Sequence, residues 1–230
     1  MKNTTQYLML FALLFLGVLF SCKKTSKPNY HFDYFGLTKG RYVIYDVVEI
    51  NHDDALGMHD TAYYQLKTYW ADTFVDNEGR IANEFWRYTR STSTDAWVLK
   101  DVWTGIIDGV RAEMVEENQR MIKLLFAPTY QKVWNSNVYN MFEETETYYT
   151  DVHGDTSING VDFDSVLVVD QFHTNSLIDT TQFMEYYAKD VGLISKKYRN
   201  LNFQIDASSG VIYLDSGIEI FYNYVEDGFE

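Results

Sequence analysis

Apolar and polar residues alternate along most of this chain with a period of two, the spacing of a strand that buries one face. Residues 41–50 are rich in β-branched and aromatic side chains and end at the turn formers Asn51, Asp53 and Asp54. Residues 63–70 repeat the pattern. Asp76-Asn77-Glu78-Gly79 signals a turn, and residues 81–90 alternate behind it with Phe85 and Trp86 on opposite faces. After a polar turn at 91–95, Trp97, Leu99, Asp101 and Trp103 share one face of the next strand. Residues 111–115 and 120–126 flank Glu116-Glu117-Asn118-Gln119, which predicts a hairpin with a four-residue connection. Residues 161–170 follow a turn at Ser157-Ile158-Asn159-Gly160. Residues 191–199 and 210–225 complete the set, Gly217 marking a bulge or break in the last. One stretch reads differently: Phe183, Met184 and Tyr187 lie three and four residues apart, which predicts a short helix within 177–189. Residues 128–141 fit neither period.

The expected fold is therefore mainly β: an antiparallel meander forming a twisted sheet or partly closed barrel, with one or two short helices. A membrane-spanning barrel does not fit. It needs strands of ~9–11 residues with an unbroken apolar outer face, and these strands carry charges on both faces.

The first 22 residues stand apart. Lys2 precedes an apolar run from Tyr7 to Phe20, which as a helix reaches ~21 Å and falls short of a ~30 Å bilayer core. A charged start and a short apolar stretch form a secretory signal. Leu19-Phe20-Ser21-Cys22 resembles the lipobox of bacterial lipoproteins, with Phe20 where a smaller residue is usual. Cys22 is the chain's one cysteine, so no disulfide forms within it, and lipidation accounts for a lone thiol in an exported protein. Two or more acyl chains hold a protein stably on a bilayer where one does not. The predicted organisation is a signal peptide over 1–21, a lipidated tether over 22–29 and a single β-rich domain over 30–230. Lys23-Lys24 after the cysteine resemble lipoproteins left facing the periplasm, which places the protein in the cell envelope on the outer membrane.

Phe35-Gly36-Leu37-Thr38-Lys39-Gly40-Arg41-Tyr42-Val43 can be laid over Phe126-Ala127-Pro128-Thr129-Tyr130-Gln131-Lys132-Val133-Trp134, sharing Phe, Thr and a basic residue. The match is either chance or the trace of two related halves, 30–125 and 126–230. Residues 33–47, reading Asp-Tyr-Phe-Gly-Leu-Thr-Lys-Gly-Arg-Tyr-Val-Ile-Tyr-Asp-Val, resemble the "YFPLKxGxYWxYxV" opening of a group of uncharacterised Gram-negative bacterial lipoproteins. Tyr187-Ala188-Lys189-Asp190-Val191-Gly192-Leu193-Ile194 is similar to their "YAKGVGLV" segment, and Glu117-Asn118-Gln119-Arg120 and Lys132-Val133-Trp134-Asn135 match further. Gly36 departs where proline is frequent, Asp190 where glycine is usual. The resemblance implies an anchored envelope protein and brings no catalytic residues.

Composition narrows function by exclusion. A formal charge of −14 over 230 residues leaves no basic footprint for nucleic acid. No Gly-x-Ser-x-Gly elbow, Walker loop, dinucleotide fingerprint or His-Glu-x-x-His helix is present, so no cofactor is indicated. Carboxylate pairs such as Asp162/Asp164 suit a hydrolase, but 33 acidic residues produce such pairs without purpose. His52, Asp53, Asp54, His59 and Asp60 gather two imidazoles and three carboxylates, donors that suit zinc-like ions, unless they form a solvated hairpin loop. Asp151, His153 and Asp155 alternate similarly in what reads as an exposed turn. Trp86, Trp97 and Trp103 on successive strands form either a stacking row for a ligand such as a glycan or part of the core. The expected partners are the membrane through Cys22 and an envelope protein, lipid or glycan. The leading reading is an anchored binding or scaffolding module; the alternatives are a lipid- or glycan-carrying barrel and a hydrolase with a dispersed acidic site.

Overall fold

The computed structural model describes residues 28–171 and 173–230; the signal segment and Cys22 lie outside the described residues. Strands follow in chain order as β1 (Arg41–Asp53), β2 (Met58–Val75), β3 (Ile81–Arg90), β4 (Val98–Asp108), β5 (Arg111–Glu116), β6 (Gln119–Leu125) and β7 (Val133–Asn135). After them come β8 (Glu146–Ile158), β9 (Val161–Gln171), β10 (Thr174–Asn175), β11 (Asp179–Ala188), β12 (Gly192–Ile205) and β13 (Ile212–Phe229). All join one antiparallel sheet in the order β6-β5-β4-β3-β2-β1-β13-β12-β11-β9-β8-β7, with β10 beside β11. The sheet curls until its ends, β6 and β7, nearly meet in a barrel.

A lone backbone bond and two side chains stand in for a ladder at that seam. The Ile122 amide donates to the Ser136 carbonyl at 3.0 Å, and the Trp134 indole donates to the Ile122 carbonyl at 3.1 Å. The buried Tyr149 hydroxyl accepts the Leu125 N–H and donates to the Leu125 carbonyl. Inward positions form the core: Val43, Tyr45 and Val47 of β1, Leu66 and Trp70 of β2, Leu124 of β6 and Ile194 of β12 are all buried. The Tyr34 hydroxyl, also buried, meets Ser165 at 2.6 Å and His153, which fastens the segment before β1 to one end of the barrel.

The helix expected within 177–189 is strand β11. Phe183, Glu185 and Tyr187 alternate inward, and Glu185 pairs with Lys123 inside the barrel, so a buried charge disguises the period of two. The helical content is two short 3-10 turns, Phe32–Phe35 and Asp54–Leu56. The predicted four-residue connection between β5 and β6 is tighter: Glu117 and Asn118 both have positive φ and make a two-residue turn. β13 runs through Gly217 without a break, and the expected bulge lies two residues earlier, where Asn202 pairs with Ser216 and Phe203 with Leu214, skipping Asp215. The φ of Gly217 is 147°, and a Cβ there would lie 2.3 Å from the Asn200 carbonyl oxygen on β12.

The two stretches aligned above make the same turn. The Gly40 N–H donates to the Trp70 carbonyl and the Gln131 N–H to the Tyr149 carbonyl. Arg41 N–H reaches the Thr38 carbonyl and Lys132 N–H the Thr129 carbonyl, each at 3.0 Å. Gly40 and Gln131 both have positive φ, and Phe35 and Phe126 are both buried.

At the other end of the barrel, β1, β2, β12 and β13 run past the mouth as a blade. β3 begins to cover β2 at Gln65, so residues 58–64 of β2 pair with β1 alone. Residues 58–63 are exposed.

Candidate functional site

Inside the barrel, ionised side chains are interleaved with apolar and aromatic ones on the same strands. Lys123, 8% exposed, sits with its Nζ 2.8 Å from Glu185 Oε1 and 3.2 Å from Glu116 Oε1. The Tyr187 hydroxyl donates to the second Glu185 oxygen at 2.7 Å. Arg87 approaches Asp101 at 3.4 Å and lies 3.6 Å over the Trp103 ring, while Arg41 reaches Asp227 at 2.8 Å. Burying a charge unpaired costs several kcal/mol, on the order of 3–5 when one partner of a buried pair is deleted. The lumen therefore answers each of these cations with a carboxylate.

Titration follows the same logic. Burial opposes ionisation of Glu116, but Lys123, Lys196 and Arg87 outweigh it and hold the carboxyl below its usual range. Burial likewise opposes the Lys123 charge, and Glu116 and Glu185 outweigh it, so the ammonium stays above the ordinary lysine value. Burial, reinforced by Glu185, pushes the Tyr187 phenol up. What remains open is a cavity of about 60 Å³. That admits a few waters, against roughly 300–1,000 Å³ for a ligand pocket.

The three tryptophans do not form a row. Trp103 faces the lumen beneath Arg87, whereas Trp86 faces outward between Tyr69 and Val102. Trp86 takes the outer face by alternation with Phe85, the residue opposite Trp103, and a bulge divides the other set: Arg87 pairs with Asp101 and Tyr88 with Leu99, skipping Lys100, so Trp97, Leu99, Asp101 and Trp103 do not share one face. Trp97 instead borders an outer hollow of about 310 Å³ with Lys67, Tyr69, Tyr88 and Glu230. The Lys67 ammonium lies 4.8 Å from the Tyr42 ring centre and 2.6 Å from Glu230 Oε1, and the Arg90 guanidinium lies 4.2 Å from the Trp97 ring centre. Aromatic faces edged by charge suit stacking with a polar, flat-faced ligand.

The histidine stretch is divided as well. His52 and His59 stand directly opposite each other on β1 and β2. Asp53 and Asp60, their chain neighbours, point to the other face of the blade. Asp53 caps the tip by accepting the Leu56 N–H at 3.1 Å, and Asp54 starts that turn. The carboxylate that does reach the histidines is Glu219 of β13, 3.2 Å from His52 Nε2. Nothing local in the sequence signals Glu219, because its approach depends on β1 pairing with β13. Among the described residues, no three metal-ligating side chains converge on a point. His153, in the stretch with Asp151 and Asp155, is tied to Tyr34 at the opposite end of the barrel, so the histidines share no catalytic cluster. Asp162 and Asp164 are exposed.

No family model matches the chain, and neither a curated protein nor a solved structure resembles it at a significant level. The likeness to bacterial lipoproteins thus rests on sequence motifs alone.

Proposed function

We propose that this is a lipid-anchored envelope protein, held to the outer membrane through Cys22 and facing the periplasm, that works as a binding or scaffolding module through its outer surface. The observation that carries the reading is the lumen. A barrel built to carry a lipid needs an apolar interior of several hundred Å³; here paired charges occupy the interior and about 60 Å³ is free. The outer hollow around Lys67, Tyr88 and Trp97 offers more room and aromatic faces, and a glycan or an envelope protein is the class of partner it suits. The anchor follows from the apolar leader, the lipobox-like Leu19-Phe20-Ser21-Cys22 and the lysines of the tether.

Native mass spectrometry of the full chain, purified from its host membrane in detergent, tests both parts. The expected spectrum shows a chain beginning at Cys22, carrying covalent acyl mass and no other lipid. A bare thiol at Cys22 overturns the anchor, and a retained stoichiometric lipid overturns the surface-binding reading.

A further inference from the structure

The blade holds a second arrangement that neither the lumen nor the outer hollow uses. His52 Nδ1 and His59 Nδ1 face each other at 3.0 Å, their ring centres 5.3 Å apart. Glu219 Oε1 lies 3.2 Å from His52 Nε2, and its other oxygen accepts the Arg199 Nε–H at 2.7 Å. A carboxylate only accepts, so His52 carries its proton on Nε2 and turns the Nδ1 lone pair toward His59. At 3.0 Å His59 donates its Nδ1–H to that lone pair; a cation enters by displacing this proton, His59 then carrying its proton on Nε2 and both Nδ1 atoms serving as ligands.

We infer that this cross-strand pair binds one late first-row divalent cation, such as Zn²⁺ or Cu²⁺, through His52 Nδ1 and His59 Nδ1. Imidazole nitrogens sit ~2.0–2.1 Å from zinc, so nitrogens 3.0 Å apart close a bite near a right angle, and ~0.3 Å more separation makes it tetrahedral. The sheet register, not a loop, sets that spacing, because the two residues are directly paired. Glu219, locked by Arg199, orients the ring from behind, the outer-shell contact typical of metal-bound histidine. With two protein ligands, the remaining positions belong to water, and the ion stays accessible at the exposed tip. Soft thiolate is absent, and nitrogen donors favour copper, nickel and zinc over magnesium or calcium.

Titration of the full chain in detergent with Zn²⁺, followed by calorimetry, tests the site. One equivalent should bind; H52A and H59A should each weaken binding at least tenfold, and E219Q by about tenfold. A H31A/H153A variant controls for the other histidine pair, whose rings lie 4.7 Å apart, and should bind like the parent. His59 is exposed, so H59A keeps the fold, and circular dichroism verifies it. No binding up to 1 mM Zn²⁺, binding unchanged in H52A/H59A, or loss in H31A/H153A instead would each overturn the assignment.

Discussion

Lys123 carries a cost and a benefit that only its neighbours explain. Its ammonium is nearly out of water, between Glu116 and Glu185. Lys123→Met strands the Glu185 and Glu116 carboxylates, so unfolding free energy should fall by about 3–5 kcal/mol, whereas adding Glu185→Met should recover part of it and leave the share due to Glu116. Denaturant unfolding of the two variants measures the difference. The signs for pH follow from the shifts. Glu116 is held below its unfolded value, so its contribution is present above that value and is lost as pH falls through the folded one. Lys123 is held above its unfolded value, so its contribution persists below that value and fades as pH rises through the folded one. These two groups leave stability flat from about pH 5 to 10 with a decline on both sides, and His153, whose imidazole burial holds below its ordinary value, adds a loss as pH falls below about 6.5. In Lys123→Met the acid decline should begin at higher pH, because Glu116 loses the foremost of the cations that hold it ionised. None of this was legible in the sequence: an inward lysine and glutamate read as a solvent face, and their pairing spans 62 residues.

At the scale of elements, alternation was readable wherever one face is apolar. β3 coincides with its predicted span because Phe85 faces in and Trp86 out without interruption. The blade was not readable: residues 58–62 and 202–205 see water on both faces, so no alternation marks them, and four strands run longer than expected. Bulges hid the rest, since skipping Lys100 turns Trp97 to the opposite side from Trp103. Of the five predicted metal donors, the strand pairing unites His52 and His59 and separates the aspartates, an outcome that depends on register. Gly217 is the element-level test. Its backbone angle and the approach of Asn200 leave no space for a methyl group, so Gly217→Ala should cost about 1–3 kcal/mol and lower the melting temperature by several degrees. Gly57→Ala, at a positive φ but with nothing within 4 Å, should cost less in the same thermal scan.

Taken whole, the barrel is unevenly fastened. β1 pairs with β13 along its whole length, from Arg41 opposite Phe229 to Asp53 opposite Ser216. Between β6 and β7 the sheet relies on the Trp134 indole, the Tyr149 hydroxyl and isolated amides. Hydrogen exchange should report this directly, with the amides of residues 121–125 exchanging faster than those of residues 43–48. Trp134→Phe deletes one seam bond worth about 1 kcal/mol and should speed exchange there while leaving β1 and β13 unchanged. Equal protection at both places would contradict an unevenly held barrel.

The pairing of β1 with β13 also sets an order of events during folding. Every other neighbour in the sheet lies close along the chain, so each meander zips locally as it emerges. β1 acquires its second partner only once residues 212–229 exist, and until then its edge offers unmatched amides to any passing strand. Closing that longest loop is the late, slow step, and the interval before it is when the growing polypeptide most needs a chaperone.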